Sequence, residues 1–258
     1  MVVEPLSVCA LTEDDLRTCR FGRGAKRLTQ SSTDGSEMGL VLSNGQSVRI
    51  STRQQRPPAI PGKLDDVTGI IIWPGALRLL HYCSEHPELF SGARVLELGA
   101  GLGLLGISAG LLGAARIVLT DLHGALPTLH ANVLVNSVGA VAHVAELEWG
   151  AGSACLEEPF DLILAADCVY DDGGTSEKLL ATVRQHAGAS TVFLLCGMIG
   201  TTAIRACTEG LRRNFGSVEL LTHSLNVETP RPRGSDGTRD QTIYCCSAPL
   251  ARTSSAIA

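Results

Sequence analysis

Val95-Leu96-Glu97-Leu98-Gly99-Ala100-Gly101-Leu102-Gly103 is the stretch on which the fold of this chain turns. A short apolar run carries one acid, Glu97, and then meets glycine at every second position. An apolar segment suited to a helix follows, over about 103–113. Strand, glycine-rich turn and helix in that order open an α/β ligand-binding unit. Glycine permits the sharp turn and, having no Cβ, lets the backbone approach a ligand closely. The helix beyond directs its free N–H groups at the same place. Gly101-x-Gly103-x-x-Gly106 also satisfies the dinucleotide fingerprint, so the pattern alone names no ligand. A purely structural turn is the alternative reading.

Outward from this unit, strand and helix patterns alternate. Strands are expected at 94–98, 116–120, 140–147, 160–166 and 190–197, with helices at about 103–113, 124–137, 174–188 and 201–213. That alternation predicts βαβ units and a parallel sheet. Ser217 to Leu225 and Thr242 to Ala248, joined by a polar loop rich in Pro and Arg, predict an antiparallel pair finishing the sheet. Upstream, Pro74 suits the first position of a helix whose apolar stripe is Ala76, Leu77, Leu79, Leu80 and Cys83. Asn44-Gly45, between Met38–Leu42 and Ser47–Thr52, predicts a β-hairpin with a type I′ turn. Residues 1–36 read as a polar, poorly ordered lead-in. One domain is expected over 37–250, with its hairpin at 37–56 and a tail at 251–258.

Bulk properties exclude several classes. The 258 residues are 45% hydrophobic and 18% charged, which is ordinary globular composition. A net charge of −5 offers no global basic field for nucleic acid or acidic lipid. No apolar stretch reaches the length of a membrane span, and nothing at the N-terminus reads as a targeting peptide. The nine cysteines form no CxxC pair or zinc-type spacing, so reduced core thiols in a cytoplasmic protein are expected, with the nucleus as a second compartment. His81, His123, His130 and His143 show no metal-ligand spacing, and no metal is expected.

Acids placed at predicted strand ends carry the chemistry. Glu97 precedes the glycines and suits a ligand bearing an ammonium or sulfonium better than a pyrophosphate; a capping or salt-bridged acid is the alternative. Asp121 ends the second strand about twenty residues beyond the glycines, where a carboxylate accepts ribose hydroxyls; an N-cap is its alternative. Leu147-Glu148-Trp149-Gly150 follows the third strand and offers Glu148 to an adenine amino group and Trp149 as a flat face. Trp73 is similar, and core packing is the alternative for both tryptophans. Asp167-Cys168-Val169-Tyr170 follows the fourth strand, where an open sheet presents ligand-facing groups; a turn-forming Asp with a packed Tyr is the alternative.

Together these residues resemble the seven-β-strand, S-adenosylmethionine-dependent methyltransferases. They look most like the family-16 protein methyltransferases, the group that includes METTL21-like lysine methyltransferases. The resemblance runs over roughly 38–248 and takes in Thr68-Gly69 through Trp73-Pro74, Asn132 with Asn136, and Asp167 to Tyr170 as a D/E-x-x-Y/F motif. It implies a Rossmann-like seven-stranded sheet, mostly parallel with an antiparallel C-terminal strand, plus the N-terminal hairpin. It implies that Trp73, Glu97, Gly99, Ala100, Gly101, Gly103, Asp121, Leu122, Glu148, Trp149 and Ala166 line the methyl donor. Asp167 and Tyr170 would line the methyl-transfer pocket. The implied reaction is methylation of an exposed lysine on a protein by a monomeric enzyme, with no metal, membrane or nucleic acid involved. One departure is Pro74-Gly75, where many relatives carry an acid and alanine. An NAD-type oxidoreductase and a non-catalytic binding module on the same fold are the competing classes.

Overall fold

The computed structural model describes residues 26–30, 37–52, 69, 72–151, 156, 159–169, 174–198, 201–221 and 241–249. Seven strands form the central sheet: β4 (Arg94–Leu98), β5 (Arg116–Asp121), β6 (Ala142–Glu146), β7 (Phe160–Ala166), β8 (Ala187–Met198), β9 (Phe215–Leu221) and β10 (Gln241–Pro249). Their order is β6-β5-β4-β7-β8-β10-β9. The contacts of β4 with β5 and β7, of β5 with β6 and of β7 with β8 are parallel. Only β10 runs antiparallel, slotted between β8 and β9. The expected antiparallel finish is therefore present, with β10 inside the sheet and β9 at its edge.

Period-two alternation buries both faces. On one face Leu96, Val118, Ile163, Phe193 and Leu195 pack against α4 (Thr175–His186) and α5 (Thr202–Asn214), through Leu179, Val183, Ile204 and Leu211. On the other, Val95, Ile117, Leu119, Leu162 and Leu164 meet α1 (Pro74–Glu85), α2 (Leu104–Leu111) and α3 (Leu126–Val135). Strands covered on both sides are what a parallel sheet requires. Helix α2 is apolar nearly all round, Leu104 to Ala109 all being buried, because it lies between this sheet and a second one.

That second sheet is three-stranded, in the order β1 (Lys26–Gln30), β2 (Glu37–Val41), β3 (Ser47–Ser51). The β2–β3 hairpin is present, but its turn is not the expected type I′: Gly45 lies at φ +84° while Asn44 has no positive φ, and Gly45 N donates to the Leu42 carbonyl at 2.9 Å. β1 is an addition: residues read as part of a polar lead-in pair antiparallel with β2. The alternation Val48, Ile50 buried against Ser47, Arg49 exposed seats this sheet on the shared core.

Its polar atoms close three helix ends. Carbonyls in the last turn of a helix have no intrahelical donor. The Ser43 hydroxyl donates to the Ser84 carbonyl at the end of α1. Asn44 Nδ2 donates to the Leu111 carbonyl of α2 at 2.8 Å, and Arg49 to the Val135 carbonyl of α3 at 2.7 Å. Asn132 and Asn136, one turn apart on α3, then pair with the backbone of β3 as a neighbouring strand would. Asn132 Oδ1 accepts from Ser51 N and Asn136 Oδ1 from Arg49 N, at 2.8 and 2.7 Å.

Candidate functional site

The strand order reverses between β4 and β7, so their carboxyl ends open a crevice at the topological switch point. Glu97 lies at its floor, only 3% exposed. Its Oε2 accepts a 2.8 Å hydrogen bond from Gly106 N in the first turn of α2, and Thr120 Oγ1 donates to its backbone carbonyl. A Cβ on Gly106 would stand 2.6 Å from that carboxylate oxygen, so glycine is needed there to admit the acid. Burial outweighs this hydrogen bond and, with the nearby Asp121 charge, pushes the Glu97 carboxyl up to about 8. Such a group gains from a cationic neighbour.

Above it, the glycine turn is tied to β5. Asp121 Oδ2 accepts from Gly101 N at 2.6 Å and Oδ1 from Leu122 N at 2.7 Å. Gly101 lies at φ +53°, and a Cβ there would press on the Gly69 carbonyl at 3.2 Å. Gly99, at φ +67°, has Cys168 Sγ and the Trp149 ring where its Cβ would be, at 2.9 and 3.2 Å. The expected grouping of the glycine turn, Asp121 and Trp149 is therefore real in space. The loop bearing Trp149 is fastened through Gly150 N to Thr182 Oγ1 of α4 at 3.0 Å.

Asp167 follows β7 in the left-handed region, φ +52°, with its N–H donated to the Cys196 carbonyl of β8 at 2.9 Å. Its Oδ2 accepts from Gly75 N at 2.6 Å, in the first turn of α1. Trp73, the N-cap residue of that helix, makes no side-chain cap bond, so the acid on β7 serves this end of α1 instead. The half-buried Asp167 and Trp73 thus belong to one corner of the crevice.

The other expected positions divide. Ala100 is buried, with its N–H bonded to the Thr120 carbonyl, and Ala166 and Leu122 are half-buried beside their strand ends. Glu148 is exposed. Gly103 lies at φ +83°, and a Cβ there would also meet Leu129, Ile107 and Leu119. Tyr170 lies outside the described residues. Sequence reading missed Cys168 as the floor under Gly99, where its thiol contacts the Leu98 carbonyl at 3.2 Å and burial pushes its pKa up. It named Asn132 without giving it a role; the residue is fully buried and donates to both Ser51 O and the Leu102 carbonyl of the glycine turn. An asparagine inside an amphipathic helix was the available signal. Among the described residues, no His, Cys, Asp or Glu group is placed to hold a metal ion.

A family model described as lysine methyltransferase matches residues 59–203, more than half of the chain. The chain belongs to the lysine methyltransferase family. It is 38% identical over 129 residues to EEF1A lysine methyltransferase 3 of Mus musculus, a match covering 49% of this chain and 55% of that one. It is 37% identical over 155 residues to protein N-lysine methyltransferase METTL21A of Danio rerio, covering 58% and 70% respectively. The chain spans about half the length of the first of these relatives. In fold it is similar to the 16S rRNA N2 G1207 methyltransferase RsmC of T. thermophilus, solved with AdoMet and guanosine. That likeness has a TM-score of 0.52 at 19% identity, over 79% of this chain and 48% of that one.

The methyl donor of this family, S-adenosylmethionine, suits the crevice. It carries an ammonium and a sulfonium, the charges that a buried carboxylate such as Glu97 favours. Glycines at 99 and 101, both at positive φ, let the turn pack closely on Cys168, Trp149 and the Gly69 carbonyl. A dinucleotide would instead bring a pyrophosphate toward Glu97, offering that buried acid no positive charge.

Proposed function

We propose that this protein transfers the methyl group of S-adenosylmethionine to a lysine side chain of a protein. The observation that carries the reading is the crevice in which buried Glu97, the Gly99–Gly101 turn, Asp121 and Asp167 converge at the ends of β4, β5 and β7. Glu97 would hold the donor's ammonium, Asp121 its ribose, and Trp149 and Trp73 its flanks. Bound S-adenosylmethionine supplies a methyl group on a cationic sulfur, open to in-line displacement.

The chain's task is alignment and management of the acceptor's proton. A lysine amine attacks only when neutral, and its unperturbed pKa is about 10.4. Deprotonating it at pH 7 costs roughly 4–5 kcal/mol at about 1.36 kcal/mol per unit. Burial of the amine away from water lowers that cost; a neighbouring carboxylate favours the ammonium and raises it. Asp167, already accepting from Gly75 N, therefore orients the amine or donor and does not take its proton. Asp167→Asn should reduce turnover, and a variant with full rate and acceptor affinity would overturn that role.

Incubation with labelled S-adenosylmethionine and a cell extract, followed by mass spectrometry of the modified residue, tests the reading directly. A methylated lysine dependent on Asp167 is expected. Labelling confined to nucleic acid, small molecules or other side chains would refute it.

A further inference from the structure

Thr182 lies in the buried stripe of α4 beside Leu179 and Val183, only 1% exposed, yet it carries a hydroxyl there. A hydroxyl inside a helix commonly returns to the carbonyl four residues back, and Thr182 Oγ1 donates to the Lys178 carbonyl at 3.0 Å. Its proton is thereby committed, and its lone pairs remain free to accept. They accept from Gly150 N at 3.0 Å, across 32 residues of chain. Gly150 belongs to the turn Glu148–Ala151, closed by Ala151 N on the Glu148 carbonyl at 3.3 Å, and lies at a φ of +81° that glycine adopts freely. Trp149 stands inside that turn. Its ring comes within 3.2 Å of where a Gly99 Cβ would be, so it borders the glycine turn. The front of the same loop is fastened separately, Leu147 N donating to the Asp121 carbonyl at 3.0 Å. Trp149 thus hangs between two ties, one on β5 and one on α4.

We infer that Thr182 is a positioning residue for donor binding: its hydroxyl, oriented by the Lys178 carbonyl, holds the Gly150 end of the loop so that the Trp149 ring stays against the glycine turn. This rests on the donor-binding reading above, in which Trp149 flanks S-adenosylmethionine. Thr182 acts through Trp149 from beneath the loop. Gly150 is itself exposed, so without Thr182 its N–H turns to water at little cost. The loop then loses its second tie while the core of α4 keeps its packing. Loss of Thr182's hydroxyl should therefore be felt at the donor site more than in the stability of the fold.

The test compares Thr182→Val, which keeps the branched shape and loses the hydroxyl, with Thr182→Ser, which keeps the hydroxyl. Calorimetry of the full chain with S-adenosylmethionine should show binding weakened roughly three- to tenfold in Thr182→Val, as loss of one hydrogen bond does. Thr182→Ser should bind like the wild type. The chain has two tryptophans, so Trp73→Phe leaves Trp149 as the one indole emitter. In that background, without ligand, Thr182→Val should shift the emission to longer wavelength and raise its quenching by acrylamide, and Thr182→Ser should do neither. In a Trp149→Ala background, Thr182→Val should cost no further affinity, because the two residues act through one contact. Wild-type affinity or quenching in Thr182→Val, equal losses in Thr182→Ser, or losses that add in the Trp149→Ala background would each overturn the inference. Should Thr182→Val not fold, Thr182→Cys, whose thiol is a weak acceptor, takes its place under the same outcomes. Failure of the wild type to bind S-adenosylmethionine would sink the functional reading; the quenching comparison, made without ligand, would still decide whether Thr182 holds Trp149.

Discussion

Glu97 and Asp121 show how one functional group, the carboxyl, does two jobs at neighbouring strand ends. Glu97 is buried, with a carboxyl raised to about 8, so the folded protein holds its proton where the unfolded chain has released it. Its contribution to stability is thus fully present below the ordinary carboxylate value and lost as pH rises through about 8. In the ligand-free protein, Glu97→Gln should flatten that fall, read as the urea midpoint against pH. Donor binding should run the other way. Between about pH 6 and about pH 7.5 a cationic ligand must expel the Glu97 proton, so affinity should strengthen with pH, by up to about tenfold per unit. Calorimetry in buffers of different ionisation enthalpy would detect the released proton, and Glu97→Gln should abolish it. Asp121 acts through geometry, receiving two backbone N–H groups that shape the turn. Asp121→Ala should weaken donor binding by roughly ten- to a hundred-fold. Both acids were visible in the sequence as carboxylates ending apolar runs. That Asp121 also ties Gly101 to Leu122, and that Asp167 ties β7 to α1, depended on contacts 20 and 92 residues apart.

The small N-terminal sheet is an element that secondary-structure patterns describe poorly and side-chain amides explain well. Asn132 uses both amide hydrogens and its oxygen, joining Ser51 to the Leu102 carbonyl of the glycine turn. Removing it strands buried backbone groups. Asn132→Ala should therefore cost about 1–3 kcal/mol or more in urea unfolding. Asn136→Ala, whose site is less buried, should cost about 0.5–1.5 kcal/mol. Equal costs for the two would count against the buried bridge. The hairpin itself followed from Asn44-Gly45, since turn chemistry is local. β1 was hidden because Lys26-Arg27-Leu28-Thr29-Gln30 is too polar to advertise a strand; its backbone is recruited by the edge of β2.

At the scale of the whole molecule, a sheet covered on both faces by helices leaves ligand access at the ends of its strands. A ligand bound there should stabilise the whole fold by mass action. At a hundred times its Kd, S-adenosylmethionine should add about 2.7 kcal/mol. For a domain of this size that is a rise in Tm of roughly 5–10 °C, visible by differential scanning fluorimetry. NAD at the same concentration should leave Tm unchanged, and an equal shift would revive the oxidoreductase class. By itself, the sequence determined the order of strands and helices, the glycine turn and the acids that end β4, β5 and β7, because period, turn chemistry and strand-end charge are local properties. Tertiary structure decided the rest. Only packing could place β10 between β8 and β9, put Cys168 beneath Gly99, and set Asp167 against Gly75, because each depends on which residues far apart in sequence are brought into contact.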